Sequence, residues 1–177
     1  MTREYLFAGF GGQGLLFSGK VLAYKGLIED KNVSWLPSYG PEMRGGTANC
    51  SVIISDEPVG APIISNPDVL VAMNLPSLDK YEPQVKAGGT IIVDSSLIER
   101  KVARDDVNVY YIPATKIAGE NGTPTLANMI LVGKLLEVFG EYDAENVRTA
   151  LGKCVSARHA DLLELNLQAM ESGRDFE

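Results

Sequence analysis

The 177-residue sequence is short of the groups that most protein chemistry uses. It holds two cysteines, Cys50 and Cys154, and one histidine, His159. Two thiols cannot frame a disulfide-stapled domain, and the three groups together fall below the four ligands of a Cys/His zinc or iron–sulfur site. Positive charge is also scarce: 16 Lys and Arg stand against 23 acids, for a formal net charge of −7. With no basic run, the electrostatic footprint of nucleic-acid or anionic-membrane binding is missing. Apolar stretches are a few residues each, against the ~20 needed to span a bilayer. Met1-Thr2-Arg3-Glu4 leads straight into a strand-like segment without an export signal, so the cytoplasm is the expected location.

What remains is a chain with 45% hydrophobic residues and 18 glycines, short enough for one domain over residues 1–177, since single cores grow to about 250 residues. Glu4–Gly9 is a short aromatic run ending in glycines. Behind it, apolar residues recur at helical spacing from Gln13 to Leu27, which predicts a strand, a glycine turn and a helix. Asn32–Leu36 predicts a second strand, and the two prolines and three glycines of Pro37–Gly46 forbid regular structure there. Asn49–Ile54 is strand-like. The turn Ser55–Pro58 leaves too little room for a crossover helix before Val59–Ile64 extends again, so part of the sheet is expected to be antiparallel.

Val69–Met73, Thr90–Val93 and Val107–Ile112 read as buried strands, with a short helix starting near Pro76. A helix apolar on nearly all sides is expected from an N-cap at Thr125 to Phe139, closed by Gly140. Two more follow, over Ala144–Lys153 and Ser156–Met170. The second groups Leu162, Leu163, Leu165 and Ala169 and stops at Gly173. The expected fold is α/β: a single Rossmann-like three-layer domain with a mixed, mainly parallel sheet and C-terminal helices.

Gly9-Phe10-Gly11-Gly12-Gln13-Gly14 has the spacing G-x-G-x-x-G at the strand-to-helix junction, where backbone N–H groups and the helix dipole favour an anion. The plainer reading, that the glycines only permit a tight turn and close packing, stands beside it. A nicotinamide site also wants an acid near the end of the second strand. That strand runs into Pro37-Ser38, with Glu29 and Asp30 before it, which argues against NAD. Gly14 to Lys20 matches G-x-x-x-x-G-K, but Val21 replaces the magnesium-binding hydroxyl and the lysine lies inside a helix, so a P-loop is rejected.

The second constellation is Ser38 to Gly46, expected at the same sheet edge as the glycine turn if the two strands are parallel neighbours. Arg44 is suited to clamp a phosphate or carboxylate, Glu42 to orient it, and Tyr39 to stack, although a Glu-x-Arg pair more often just pins a loop. His159, Cys50 and Cys154 read as structural, and Asp94-Ser95-Ser96 as a cap. No catalytic group and no metal site is assigned.

Together, GFGGQG with LLFSGKVLA behind it, SYGPEMRGG followed by TANCSVIISDEP, then PDVLVAMN, VKAGGTIIVDSS and LNLQAMESG resemble the gamma subunit, or gamma domain, of the 2-oxoacid:ferredoxin oxidoreductases. The resemblance covers nearly the whole chain. It implies a non-autonomous subunit of a complex that oxidatively decarboxylates a 2-oxoacid, transfers the acyl group to coenzyme A and passes electrons to ferredoxin. The substrate it favours is 2-oxoglutarate, with branched-chain 2-oxoacids and pyruvate as alternatives; a free-standing dinucleotide-binding oxidoreductase and a non-catalytic scaffold are the rivals. Thiamine diphosphate, magnesium and iron–sulfur clusters are then expected on separate alpha, beta and ferredoxin-like delta subunits. The resemblance assigns the cofactor environment to Gly9, Gly11, Gly12, Gln13, Gly14, Tyr39, Glu42, Arg44, Gly45 and Gly46.

Overall fold

In the computed structural model, which describes residues 1–38 and 48–177, strand β1 (Thr2–Gly9) runs through the middle of a six-stranded sheet. Its neighbours are β3 (Ala48–Ser55) on one side and β4 (Val69–Ala72) on the other. Outside them lie β2 (Asn32–Ser38), and then β5 (Thr90–Asp94) and β6 (Asn108–Ile112), in the order β2-β3-β1-β4-β5-β6. The β1–β4, β4–β5 and β5–β6 pairs are parallel, while β3 is antiparallel to both β2 and β1. Only β3 is reversed, because the nine residues between Ser38 and Ala48 are too few for a crossover.

β4 and β5 are buried at every residue, as parallel strands covered on both faces must be. Tyr5, Phe7, Val69, Val71 and Ile92 point to the larger cluster, under α1 (Leu15–Ile28), α3 (Ala114–Glu120), α4 (Ala127–Val138), α5 (Ala144–Cys154) and α6 (Ala160–Arg174). Leu6, Ala8, Leu70, Ala72, Ile91 and Val93 point the other way, to Leu78 and Tyr81 of α2 (Leu75–Tyr81) and to Val85 and Ile98. That second layer is thin, since the 95–107 crossover has no helix. It is tied down by the buried Glu82 carboxylate, which accepts from Arg100 Nη2 at 2.7 Å and from Ala103 N at 2.6 Å.

The expected α/β architecture is present, with differences in detail. Val59–Ile64 forms no strand, since Pro58 and Pro62 deny it ladder donors, and the antiparallel element is β3 instead. α3 is an extra helix. Thr115, Ile117 and Gly119 are weak helix formers, and the helix is held because Ala114 and Ala118 are buried and Asp94 grips its first turn, accepting from Thr115 Oγ1 at 2.6 Å. Thr125 caps nothing: Pro124–Leu126 is a 3₁₀ turn, and α4 begins at Ala127.

Gly173 does not stop α6 but lies within it, and the buried face runs through Asn166, Leu167, Ala169, Met170 and Gly173, leaving Leu162 exposed. The reason is a backbone-to-backbone crossing. A Cβ on Gly133 of α4 would lie 2.6 Å from the Met170 carbonyl carbon, and one on Gly173 would lie 2.7 Å from that of Ile130. Each glycine makes room for the other helix's main chain, so α4 is buried along Ala127–Leu136.

Gly173→Ala is expected to destabilise the chain by about 3 kcal/mol, the upper end for overpacking, because only backbone can yield. A urea unfolding midpoint equal to that of the parent chain would contradict this crossing.

Candidate functional site

β1 and β4 are parallel neighbours whose following helices go to opposite faces, α1 to the larger layer and α2 to the smaller. Open α/β sheets have their crevice at such a switch point, outside the carboxyl ends of the strands. The glycine turn lies there. Gly9 ends β1, and Gly12 and Gly14 have φ of 89° and 76°, in the left-handed region where a side chain is strained.

The turn is braced on both flanks. Gln13 Oε1 accepts from Phe10 N at 2.6 Å, while its Nε2 donates to Met73 O at 3.0 Å, just beyond β4. On the other side Asn128, buried near the start of α4, donates through Nδ2 to Gly14 O at 3.0 Å and to Ser18 Oγ at 3.2 Å. A Cβ on Gly14 would come 2.5 Å from that nitrogen. Gln13 and Asn128 thus hold the turn rather than face outward. Asn128 is absent from the sequence reading; its one signal is that it is an uncharged polar residue in the buried run Ala127–Leu136.

Outside the turn is a cleft of about 420 Å³ lined by Gly11, Gly12 and Gly14 with Phe10, Leu15, Leu16, Phe17 and Ala48. Among the described residues no acceptor meets the N–H groups of Gly11, Gly12 or Gly14, and the first turn of α1 has donors with no carbonyl four residues back. Among the described residues no charged side chain lines the cleft. Its chemistry is that of backbone donors beside an apolar wall, which suits an anionic group carried on an apolar arm.

Gly9, Gly11, Gly12, Gln13 and Gly14 therefore come together at one place. Tyr39, Glu42, Arg44, Gly45 and Gly46 lie outside the described residues. The roots of their loop do not: Ser38 pairs with Asn49, and Ala48 with Gly9, so the loop leaves and rejoins the sheet at the edge that carries the glycine turn. The two strands concerned run parallel but are not neighbours, because β3 lies between them.

The remaining candidates are structural. Asp94 is fully buried and accepts from Ser96 N at 3.1 Å as well as from Thr115, a capping role. Glu29 pairs with Lys25 at 2.5 Å, and β2 ends without an acid, so the ribose partner of a dinucleotide site is missing among the described residues. His159 is exposed. Burial, partly opposed by the Trp35 indole N–H, pushes the Cys50 thiol up to about 12; burial against the pull of Lys20 pushes Cys154 up to about 11. Among the described residues no group of three or more His, Cys, Asp or Glu is placed to hold a metal ion, and no helix is long and apolar enough to cross a membrane.

The family described as pyruvate ferredoxin/flavodoxin oxidoreductase matches residues 4–176. Subunit VorA of the ketoisovalerate oxidoreductase of Methanothermobacter marburgensis is 39% identical over 170 residues, 96% of this chain but 35% of VorA, so the chain spans about a third of that relative. Subunit KorC of the 2-oxoglutarate synthase of the same organism is 37% identical over 187 residues, covering 99% of this chain and 97% of KorC. The crystal structure of a keto/oxoacid ferredoxin oxidoreductase gamma subunit from Geobacter sulfurreducens PCA superposes with a TM-score of 0.83 at 31% identity, covering 98% of this chain and 96% of that one.

Gly14→Ala is expected to destabilise the chain by about 2 kcal/mol, from the left-handed backbone and the push on Asn128; an unchanged thermal midpoint would refute it. The thiols supply a second expectation. At pH 8 a thiol-specific reagent should leave Cys50 and Cys154 of the native chain unmodified while labelling both in denaturant. A thiol whose pKa is raised on folding favours the fold below its ordinary value of 9.0, so this contribution fades as pH climbs from there toward about 12.

Proposed function

This chain belongs to the pyruvate ferredoxin/flavodoxin oxidoreductase family, and from that premise we propose that it is the gamma subunit of a 2-oxoacid:ferredoxin oxidoreductase. In this reading the complex decarboxylates a 2-oxoacid oxidatively, forms the acyl thioester of coenzyme A and passes two electrons to ferredoxin. Support comes from the relatives that match nearly all of this chain, VorA and KorC, both subunits of 2-oxoacid enzymes. 2-Oxoglutarate is the substrate proposed first, since KorC aligns along nearly its whole length. A branched-chain 2-oxoacid is the second reading, favoured by the 39% identity to VorA.

The role assigned to this chain is to shape a binding edge. The Gly11 and Gly12 amides and the first turn of α1 would hold a phosphate oxygen of coenzyme A, while Phe10, Leu15 and Leu16 would cover its apolar arm. Gly9 and Gly14, with the Gln13 brace, keep those amides aimed. Tyr39, Glu42, Arg44, Gly45 and Gly46 are assigned to the same edge, with Arg44 as a further phosphate partner. Coenzyme A, when bound, supplies the thiol that takes the acyl group.

Two cysteines and one histidine do not make the donor set of an iron–sulfur cluster. Thiamine diphosphate with magnesium, and the clusters, are therefore assigned to the alpha, beta and ferredoxin-like delta chains. The cytoplasm is the proposed location.

The observation that carries the site is the cleft beside amides that have no acceptor among the described residues. Its test is the complex rebuilt with Gly12→Val. A Cβ at Gly12 meets nothing within 4 Å, so the substitution strains the backbone and fills the open side of the turn. The complex should assemble, with KM for coenzyme A raised about tenfold, about 1.4 kcal/mol. Lost assembly with an unaltered KM in the residual enzyme would favour a scaffold, and purification of the native chain without thiamine-binding or cluster-binding partners would remove the premise of a complex.

A further inference from the structure

The carbonyl oxygen of Gly14 carries more donors than helix formation asks of it. Ser18 N meets it at 3.0 Å, the ordinary first bond of a helix. Ser18 Oγ donates to it as well, at 3.1 Å, and Asn128 Nδ2 does so at 3.0 Å. The second N–H of Asn128 Nδ2 goes to Ser18 Oγ at 3.2 Å, so the two side chains reach the oxygen as one unit. Both are buried, with 1% of Ser18 and 4% of Asn128 exposed. Only the nitrogen of a side-chain amide can donate to a carbonyl, which fixes which way round Asn128 sits.

Stability does not account for this arrangement. With Ser18 N in place Gly14 O is already met, while Asn128 Oδ1 is left buried with no donor among the described residues. An unmet buried carbonyl is costly, and an apolar residue at this place on α4 would avoid it. What the extra donors act on is the other end of the same peptide group. That peptide is trans, so with its C=O directed into α1 its N–H, which belongs to Leu15, points out of the helix start. Leu15 lines the cleft, and among the described residues no acceptor meets its N–H. Donors on a carbonyl polarise the N–H of the same peptide and strengthen it. The neighbouring amides have less behind them. Phe10 O, in the peptide of the Gly11 N–H, accepts from Gln13 N at 3.3 Å, and among the described residues no donor meets Gly11 O or Gln13 O, in the peptides of the Gly12 and Gly14 N–H groups.

We propose that Asn128, together with Ser18, is a positioning residue: by loading Gly14 O it aims and polarises the Leu15 N–H, which becomes the principal donor to the anionic group in the cleft. The inference rests on the reading of that cleft as a site for a phosphate of coenzyme A, and it names the amide on which the contact depends.

The test takes Asn128→Leu, with Ser18→Ala as the smaller change, through two measurements. In the isotope-labelled, free full-length chain the Gly14 carbonyl carbon and the Leu15 amide proton are both expected to move upfield in each variant. In the rebuilt complex KM for coenzyme A is expected to rise about threefold with kcat unchanged. Unmoved resonances overturn the inference, and so does a lowered thermal midpoint with the KM of the parent, which makes Asn128 a bolt between α1 and α4 and no more. If Asn128→Leu does not fold, Ser18→Ala decides by the same two measurements. A KM raised by Gly12→Val but by neither variant here overturns this role and leaves the coenzyme A reading standing. A KM moved by none of the three overturns that reading itself.

Discussion

Two helices in contact through their main chains are the constraint on which the candidate site rests. Gly133 and Gly173 let α4 and α6 close on each other without side chains between them, and that contact seats α4 deep in the larger layer. From this seat Asn128 reaches the carbonyl of Gly14, more than a hundred residues earlier in the chain. On the other flank Gln13 ties the same turn to the end of β4. The orientation of the glycine amides is therefore a property of the packed core, and it is set before any ligand arrives.

This layout suits a protein that works through its backbone. The cysteines are held as neutral thiols, the single histidine is exposed at the start of α6, and the buried carboxylates Asp94 and Glu82 are engaged in holding α3 and the 95–107 crossover. Among the described residues, what lines the cleft is a set of amides and an apolar wall. Such a surface can bind and orient an anionic group, and two relatives of this chain, VorA and KorC, are each one subunit of a 2-oxoacid enzyme.

Much of the fold was legible in the sequence because its signals are local. Glycine spacing after β1, continuous apolar runs in β4 and β5, and the all-apolar face of α4 each announce themselves within a dozen residues. What could not be read depends on distant partners. α3 exists because Asp94 caps it from another strand, and Gly173 resembles a helix stop until Ile130 is placed against it. Asn128 likewise looks like a polar interruption until Gly14 is set beneath it. In the site, the position of the turn followed from its motif, whereas the division of Gln13 and Asn128 from the outward-facing amides required the packed structure.

The reversed direction of β3 has a consequence for how freely this edge can diversify. Because the connection between β2 and β3 is rooted at both ends in one antiparallel ladder, with Ser38 against Asn49 and Ala48 against Gly9, its roots are clamped whatever lies between them. Lengthening such a connection costs little closure entropy and leaves strand register untouched. Mutation can therefore exchange that connection like a removable tool head while the handle, the glycine turn and its ladder, stays as it is.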